Sequence, residues 1–147
     1  MKVVHGDLIS LIKENKFDIV IHGCNCFNVM GAGFARQIKE NFPEAYQADL
    51  ETLKGDPKKL GTYSSALVGN VKIINAYTQY TYGIGKRQVD YNAVTKVFKT
   101  IRFNFRDKKI AYPKIGAGLA GGSWSVIKEI IDQELFDIDH TLVLYKD

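Results

Sequence analysis

The chain has 147 residues, 46% of them hydrophobic and 24% charged. That is one domain's worth of sequence, able to bury roughly two-thirds of its unfolded surface, in the composition of a water-soluble globular protein. The net charge of +4 is spread along the chain; it suits a phosphate-bearing small molecule and calls for no nucleic acid. No apolar run nears the roughly 20 residues that cross a bilayer. The start, Met1-Lys2-Val3-Val4-His5-Gly6, lacks the apolar core of a secretory signal, so the expectation is a cytoplasmic protein with no membrane partner.

In chain order, Lys2 to Val4 reads as a short strand. Asp7 to Asn15 reads as a helix with Leu8, Leu11 and Ile12 on one face. The continuous apolar run from Phe17 to His22 predicts a central strand. Gly33 to Phe42 is a helix with Phe34 and Ile38 at i, i+4. Tyr63 to Val68 and Lys72 to Thr78 are paired strands joined at Gly69-Asn70. Asp90 caps a helix that buries Tyr91, Val94, Phe98 and Ile101. Lys109 to Tyr112 is a further strand, Ser123 caps a helix with Ile127, Ile130 and Ile131 inward, and Thr141 to Tyr145 closes the sheet. No linker, repeat or low-complexity stretch interrupts this alternation, which predicts an α/β fold: a mixed, mainly parallel sheet between two layers of helices.

Two glycine-rich segments carry most of the functional information. They are Met30-Gly31-Ala32-Gly33-Phe34-Ala35 and Ile115-Gly116-Ala117-Gly118-Leu119-Ala120-Gly121-Gly122. Each leads into a helix, so bare N–H groups and a helix dipole face an anion. Two such loops point to two phosphates, or to one diphosphate held from both sides. Both fall at the carboxyl ends of strands, where ligands bind in such sheets.

Other residues at that rim each have two readings. Asp7, after Gly6, caps a helix or accepts from an adenine amino group. His22 is a satisfied structural histidine or an acid–base group. Asn25 forms a turn or grips a ribose. Tyr77, Tyr80 and Tyr82 belong to a strand and its rim or stack on a base. Gly83-Ile84-Gly85-Lys86-Arg87 reads as a mobile basic surface loop, since the P-loop pattern fails at Tyr80 and Arg87. Cys24 and Cys26 are too few for a zinc site and read as buried reduced thiols. No metal-ligand cluster and no G-x-S-x-G elbow are visible, and no cofactor is expected.

Taken together, these motifs resemble a macro domain over nearly the whole chain: Gly6-Asp7-Leu8, His22-Gly23-Cys24-Asn25-Cys26, loop one at 30–35 and loop two at 115–121. The resemblance implies a cleft for ADP-ribose between the loops. By position, Asp7 meets the adenine with Leu8 beside it, Asn25 the distal ribose, loop one the ribose side, loop two the diphosphate, and Tyr145 flanks the adenine.

Within that family the common mono-ADP-ribosyl hydrolases carry Asn-Ala-Ala-Asn and an acid after loop one; here His22 and Ala35 stand there. The terminal ADP-ribose glutamate hydrolases use a Lys and a loop-two Asp; the Lys position falls near Tyr82, with Lys86 nearby, and the Asp position holds Ala120. The nearest resemblance is to the small yeast-like ADP-ribose 1''-phosphate phosphatases, which share His-x-Cys-Asn-Cys and the Phe-Ala-Arg-Gln-Ile helix start. It implies a metal-independent phosphatase with His22 as its catalytic residue, acting on ADP-ribose 1''-phosphate to give ADP-ribose. The alternatives are an ADP-ribose-binding module without turnover and an ADP-ribosyl-protein hydrolase.

Overall fold

The computed structural model of the chain describes residues 1–83 and 85–145. Ile84, within the basic 83–87 segment, lies outside them. Six strands form one sheet: β1 (Lys2–His5), β2 (Ile19–Cys24), β3 (Tyr63–Val68), β4 (Val71–Tyr77), β5 (Ile110–Tyr112) and β6 (His140–Leu144). Their order is β1-β6-β5-β2-β4-β3. All neighbours run parallel except β3, which pairs antiparallel with β4 as the expected hairpin. Gly69, at φ 59°, makes that turn.

The helices are α1 (Leu8–Lys13), α2 (Gly33–Asn41), α3 (Pro43–Leu50), α4 (Tyr91–Asn104) and α5 (Trp124–Glu134). They cover both faces of the sheet because successive strand side chains alternate sides. Ile19 and Ile21 of β2 pack with Phe98 and Ile101 of α4 and with Ile127 and Ile131 of α5. Val20 between them packs with Ile9 and Ile12 of α1, Ile38 of α2 and Ala45 of α3. An unbroken apolar β2 is what a strand buried on both faces requires. Each fully buried Ile or Phe contributes about 1.5–3 kcal/mol of transfer free energy.

The mixed, mainly parallel sheet and its helical layers match the expectation. The boundaries move: β2 starts at Ile19 rather than Phe17 and runs on to Cys24. Asp18 instead ties the strand entry to β5, its carboxylate accepting from the Lys109 N–H at 2.9 Å. Helix α3 was not expected. It buries only Ala45 and Asp49, so its sequence has no apolar stripe, although Pro43 at the first position is a start signal. Ser123 sits at the cap position of α5, but its side chain makes no capping bond; its hydroxyl pairs with that of Ser125 at 2.9 Å.

Chain leaving β2 goes by way of β3 to β4 on one side, and chain leaving β5 goes to β6 on the other. The crevice outside the β2 and β5 carboxyl ends is therefore the topological switch point of the sheet, the usual ligand position.

Candidate functional site

That crevice holds a cavity of about 600 Å³. Its floor is His22, Gly23 and Cys24 at the end of β2, continuing to Asn25; one wall is Gly31 to Ala35, and the other is Ile115, Gly116, Gly118, Leu119 and Ala120. The two glycine segments thus face each other across one space. Gly33 takes φ +61° where α2 begins, and Gly116 takes φ +71° where loop two turns. Side chains rarely adopt these conformations. A Cβ at Gly116 would also lie 2.7 Å from a Val89 methyl, so loop two is seated against the chain entering α4.

The walls are rich in unpaired donors. Helix α2 has no side-chain cap, and the N–H groups of residues 31–35 find no acceptor among the described residues. Neither do those of Gly116, Gly118, Leu119 and Ala120, whereas Gly121 and Gly122 donate within the loop. The first N–H groups of a helix need an outside partner, and with its dipole they favour an anion. Lys114 is the only charged side chain among the described wall residues, which include no carboxylate. No group of three His, Cys, Asp or Glu suited to a metal occurs among the described residues.

The floor is built differently. His22 is 1% exposed, opposite Asn75 in the β2–β4 register, with Nε2 2.7 Å from Asn75 Oδ1. Burial pushes its pKa down to about 4, against the pull of the Asn75 bond. The ring is therefore neutral at pH 7 and able to accept a proton, but not to donate one as an imidazolium. Phe34 approaches it edge-on at 6.1 Å between ring centres. Burial also pushes the Cys24 and Cys26 thiols up, and both cysteines are free and buried. Such thiols are protonated and inert, as expected.

Behind the floor, Tyr77 donates to Asp49 at 2.7 Å and shares a 2.7 Å bond with Ser64. Lys59 is nearly buried. Its ammonium donates to the Cys26 carbonyl at 3.1 Å and to Asn28 Oδ1 at 2.7 Å. It also lies 4.7 Å from the Tyr77 ring centre. These contacts tie α3 and the 25–29 turn to the sheet directly under loop one.

Not every candidate joins the cavity. Asp7 caps α1, accepting from Ile9 N–H at 3.0 Å and Ser10 Oγ at 3.1 Å. With Gly6 and Leu8 it lies outside the cavity wall; Leu8 is buried against the α1 side of the core. Met30 is buried with Cys24, Cys26 and Tyr77. Ala117, Gly121 and Tyr145 also stay outside the wall, Tyr145 being 70% exposed. Asn25 lines the cavity, but its amide is engaged locally: Nδ2 donates to the Val29 carbonyl at 2.8 Å and Oδ1 accepts from Phe27 N–H at 2.9 Å. Its turn-forming role is realised.

The wall also contains Val29, Gln79, Tyr82, Gly83, Pro113 and Lys114. Lys114 directly precedes loop two, and its cationic charge next to an anion loop was the available signal. Gln79 and Tyr82 arrive from the segment after β4, whose path over the cleft no periodicity encodes. Tyr82 joins the cavity; Tyr80 instead donates to the Gly55 carbonyl at 2.8 Å.

The Macro domain family model matches residues 21–131. An uncharacterized 17.5 kDa protein from the tk-vs intergenic region of Enterobacteria phage T4 is 35% identical over 142 residues, covering 90% of this chain and 88% of that protein. The ADP-ribose 1''-phosphate phosphatase of Meyerozyma guilliermondii is 31% identical over 93 residues, 63% of this chain and 50% of the phosphatase. Among solved structures, Thermosipho africanus DarTG in complex with ADP-ribose matches with a TM-score of 0.75 at 18% identity, covering 98% of this chain and 42% of that one. The chain belongs to the Macro domain family.

Proposed function

Taking a macro domain with this cleft as the premise, we propose that the protein binds ADP-ribose and hydrolyses ADP-ribose 1''-phosphate to ADP-ribose and phosphate. One observation carries the binding half: two glycine walls present unpaired N–H groups to one cavity that has a cation and no carboxylate among its described wall residues. A diphosphate offers acceptors to both walls at once. The fold neighbour in complex with ADP-ribose supports the same ligand.

The phosphatase half rests on His22 at the floor and on the likeness to the Meyerozyma phosphatase. A neutral His22 takes a proton from water as that water attacks phosphorus. The bond from phosphorus to the 1''-oxygen breaks, the sugar oxygen takes a proton from solvent, and inorganic phosphate leaves. The N–H groups of loop two and the Lys114 ammonium stabilise charge on the transferring group. Adenine contact by Asp7 and Tyr145, and ribose contact through the Asn25 turn, belong to this proposal.

A second reading, binding without turnover, is favoured by the burial of His22 and its bond to Asn75. Phosphate release from ADP-ribose 1''-phosphate by the purified protein separates the two. Release above the uncatalysed rate supports the enzyme. Binding of ADP-ribose by calorimetry with no release leaves the module. Equal affinity for AMP and ADP-ribose overturns both.

A further inference from the structure

We propose that Asn75 is a positioning residue of this site: its amide, oriented by the Ala45 carbonyl of α3, fixes the His22 ring as the Nε2–H tautomer and leaves Nδ1, 3.7 Å from Cys24 Sγ, as the ring nitrogen whose lone pair can take a proton. The inference rests on His22 having the role proposed above, but its geometry stands apart from that role.

Asn75 is fully buried in β4. Its Nδ2 donates to the Ala45 carbonyl at 2.9 Å and to Ser64 Oγ at 3.0 Å. A backbone carbonyl only accepts. Flipping the amide would set two oxygens 2.9 Å apart and leave the carbonyl without its donor. Oδ1 therefore faces His22, and at 2.7 Å it receives the proton that Nε2 carries.

The order continues away from the cleft. Ser64 Oγ accepts from Asn75, so its own hydroxyl proton goes to Tyr77 OH at 2.7 Å, and Tyr77 donates onward to Asp49 at 2.7 Å. Every proton from His22 to Asp49 thus has a set direction, through β2, β4, β3 and α3. Burial makes each of these bonds costly to leave unmade. The backbone carbonyl of a helix that touches no ligand thereby decides which atom of His22 is basic.

The ring nitrogens of the full-length protein report this directly by 15N NMR. There are three histidines, His5, His22 and His140, and a His22→Gln variant assigns the signals. The expected result at pH 7 is a single Nε2–H tautomer for His22. In Asn75→Ala that signature gives way to a tautomer mixture. In the same variant kcat on ADP-ribose 1''-phosphate falls by about tenfold or more, while KM and ADP-ribose affinity hold within about twofold. A wild-type Nδ1–H ring, or an Nε2–H ring that persists in folded Asn75→Ala, overturns the assignment. Should Asn75→Ala fail to fold, the wild-type spectrum still decides the tautomer: an Nδ1–H ring overturns the assignment. Wild-type protein that shows the Nε2–H ring but releases no phosphate supports the positioning and defeats the phosphatase reading alone.

Discussion

The floor of the cleft and its two glycine walls use their hydrogen-bonding groups in opposite ways. On the floor, His22, Asn75, Ser64, Tyr77 and Asp49 satisfy one another in a buried chain. On the walls, the N–H groups of residues 31–35 and of four loop-two residues have no partner among the described residues. Buried polar groups are nearly always paired, which accounts for the floor; the wall N–H groups border the open cleft, where water or a ligand can accept from them. The contrast locates affinity in the backbone of the walls. It locates any chemistry in His22, because the other titratable floor residue, Cys24, has its thiol held protonated by burial.

The largest effect expected comes from closing the open side. Gly118 has no positive φ, and an added Cβ there meets nothing within 4 Å. Gly118→Ala is therefore tolerated, while Gly118→Glu puts a carboxylate among the phosphate donors. One unit charge at about 4 Å costs between about 1 and 4 kcal/mol, depending on screening, and a diphosphate carries more than one. ADP-ribose affinity by calorimetry should fall by about 10²-fold or more with the far-UV circular dichroism unchanged. Gly33→Glu should do the same and also lower the melting temperature, because Gly33 sits at φ +61°. Retained binding in both variants moves the site elsewhere.

The closed side is tested by acid. Burial holds the His22 pKa at about 4, against 6.5 unperturbed. Between those values the unfolded chain binds a proton that the folded chain refuses, so stability falls as pH falls through that window. The contribution is at most roughly 3 kcal/mol. His140, also lowered by burial, acts with the same sign. Asp49, raised by burial, acts with the opposite sign. Urea midpoints at pH 4.5 and 7 should therefore differ less in His22→Gln than in wild type. The same slope in both proteins would mean that His22 titrates normally.

Turnover is the next test. His22→Ala should lower phosphate release by about 10²-fold, the usual scale of acid–base help. ADP-ribose affinity should change little, since the donors stand on the walls. Asn75 Oδ1 loses its donor, so stability drops by about 1–3 kcal/mol as well. A fully active His22→Ala protein keeps the phosphatase and removes His22 from its mechanism.

This same contrast explains what could be read in the chain. The walls were legible because glycine spacing after apolar strands is a local pattern, and both loops came together as that pattern predicts. The six strands and four of the five helices were legible through periodicity. Helix α3 was hidden because its buried Asp49 faces a polar network instead of a core. Asn75 and Ser64 could not be singled out, and Tyr77 read only as a strand residue or a base stacker, because their partners lie 11 to 53 positions away and meet only once the sheet is paired. Lys59 is a surface lysine by composition, and only the fold turns it inward. The signals for Asp7 and Asn25 were real, but each residue also serves a local turn or cap, which one-dimensional spacing does not separate from ligand contact.

Asp7 carries the smallest and most discriminating prediction, because it stands where the closed and open patterns overlap. Its carboxylate caps α1 through Oδ1 and takes the Ser10 hydroxyl on Oδ2. An ionised carboxylate has about four acceptor sites, so two remain for an adenine amino group without loss of the cap. Asp7→Ala removes both functions: about 1 kcal/mol of stability with the cap, and about 1–3 kcal/mol of ADP-ribose affinity with the acceptor. Asp7→Ser separates them, because serine caps a helix as well as aspartate does but is shorter and uncharged. It should melt within a degree or two of wild type and bind ADP-ribose as weakly as Asp7→Ala. Wild-type affinity in Asp7→Ser would reduce Asp7 to a cap, and the adenine would then have to be held by the walls themselves.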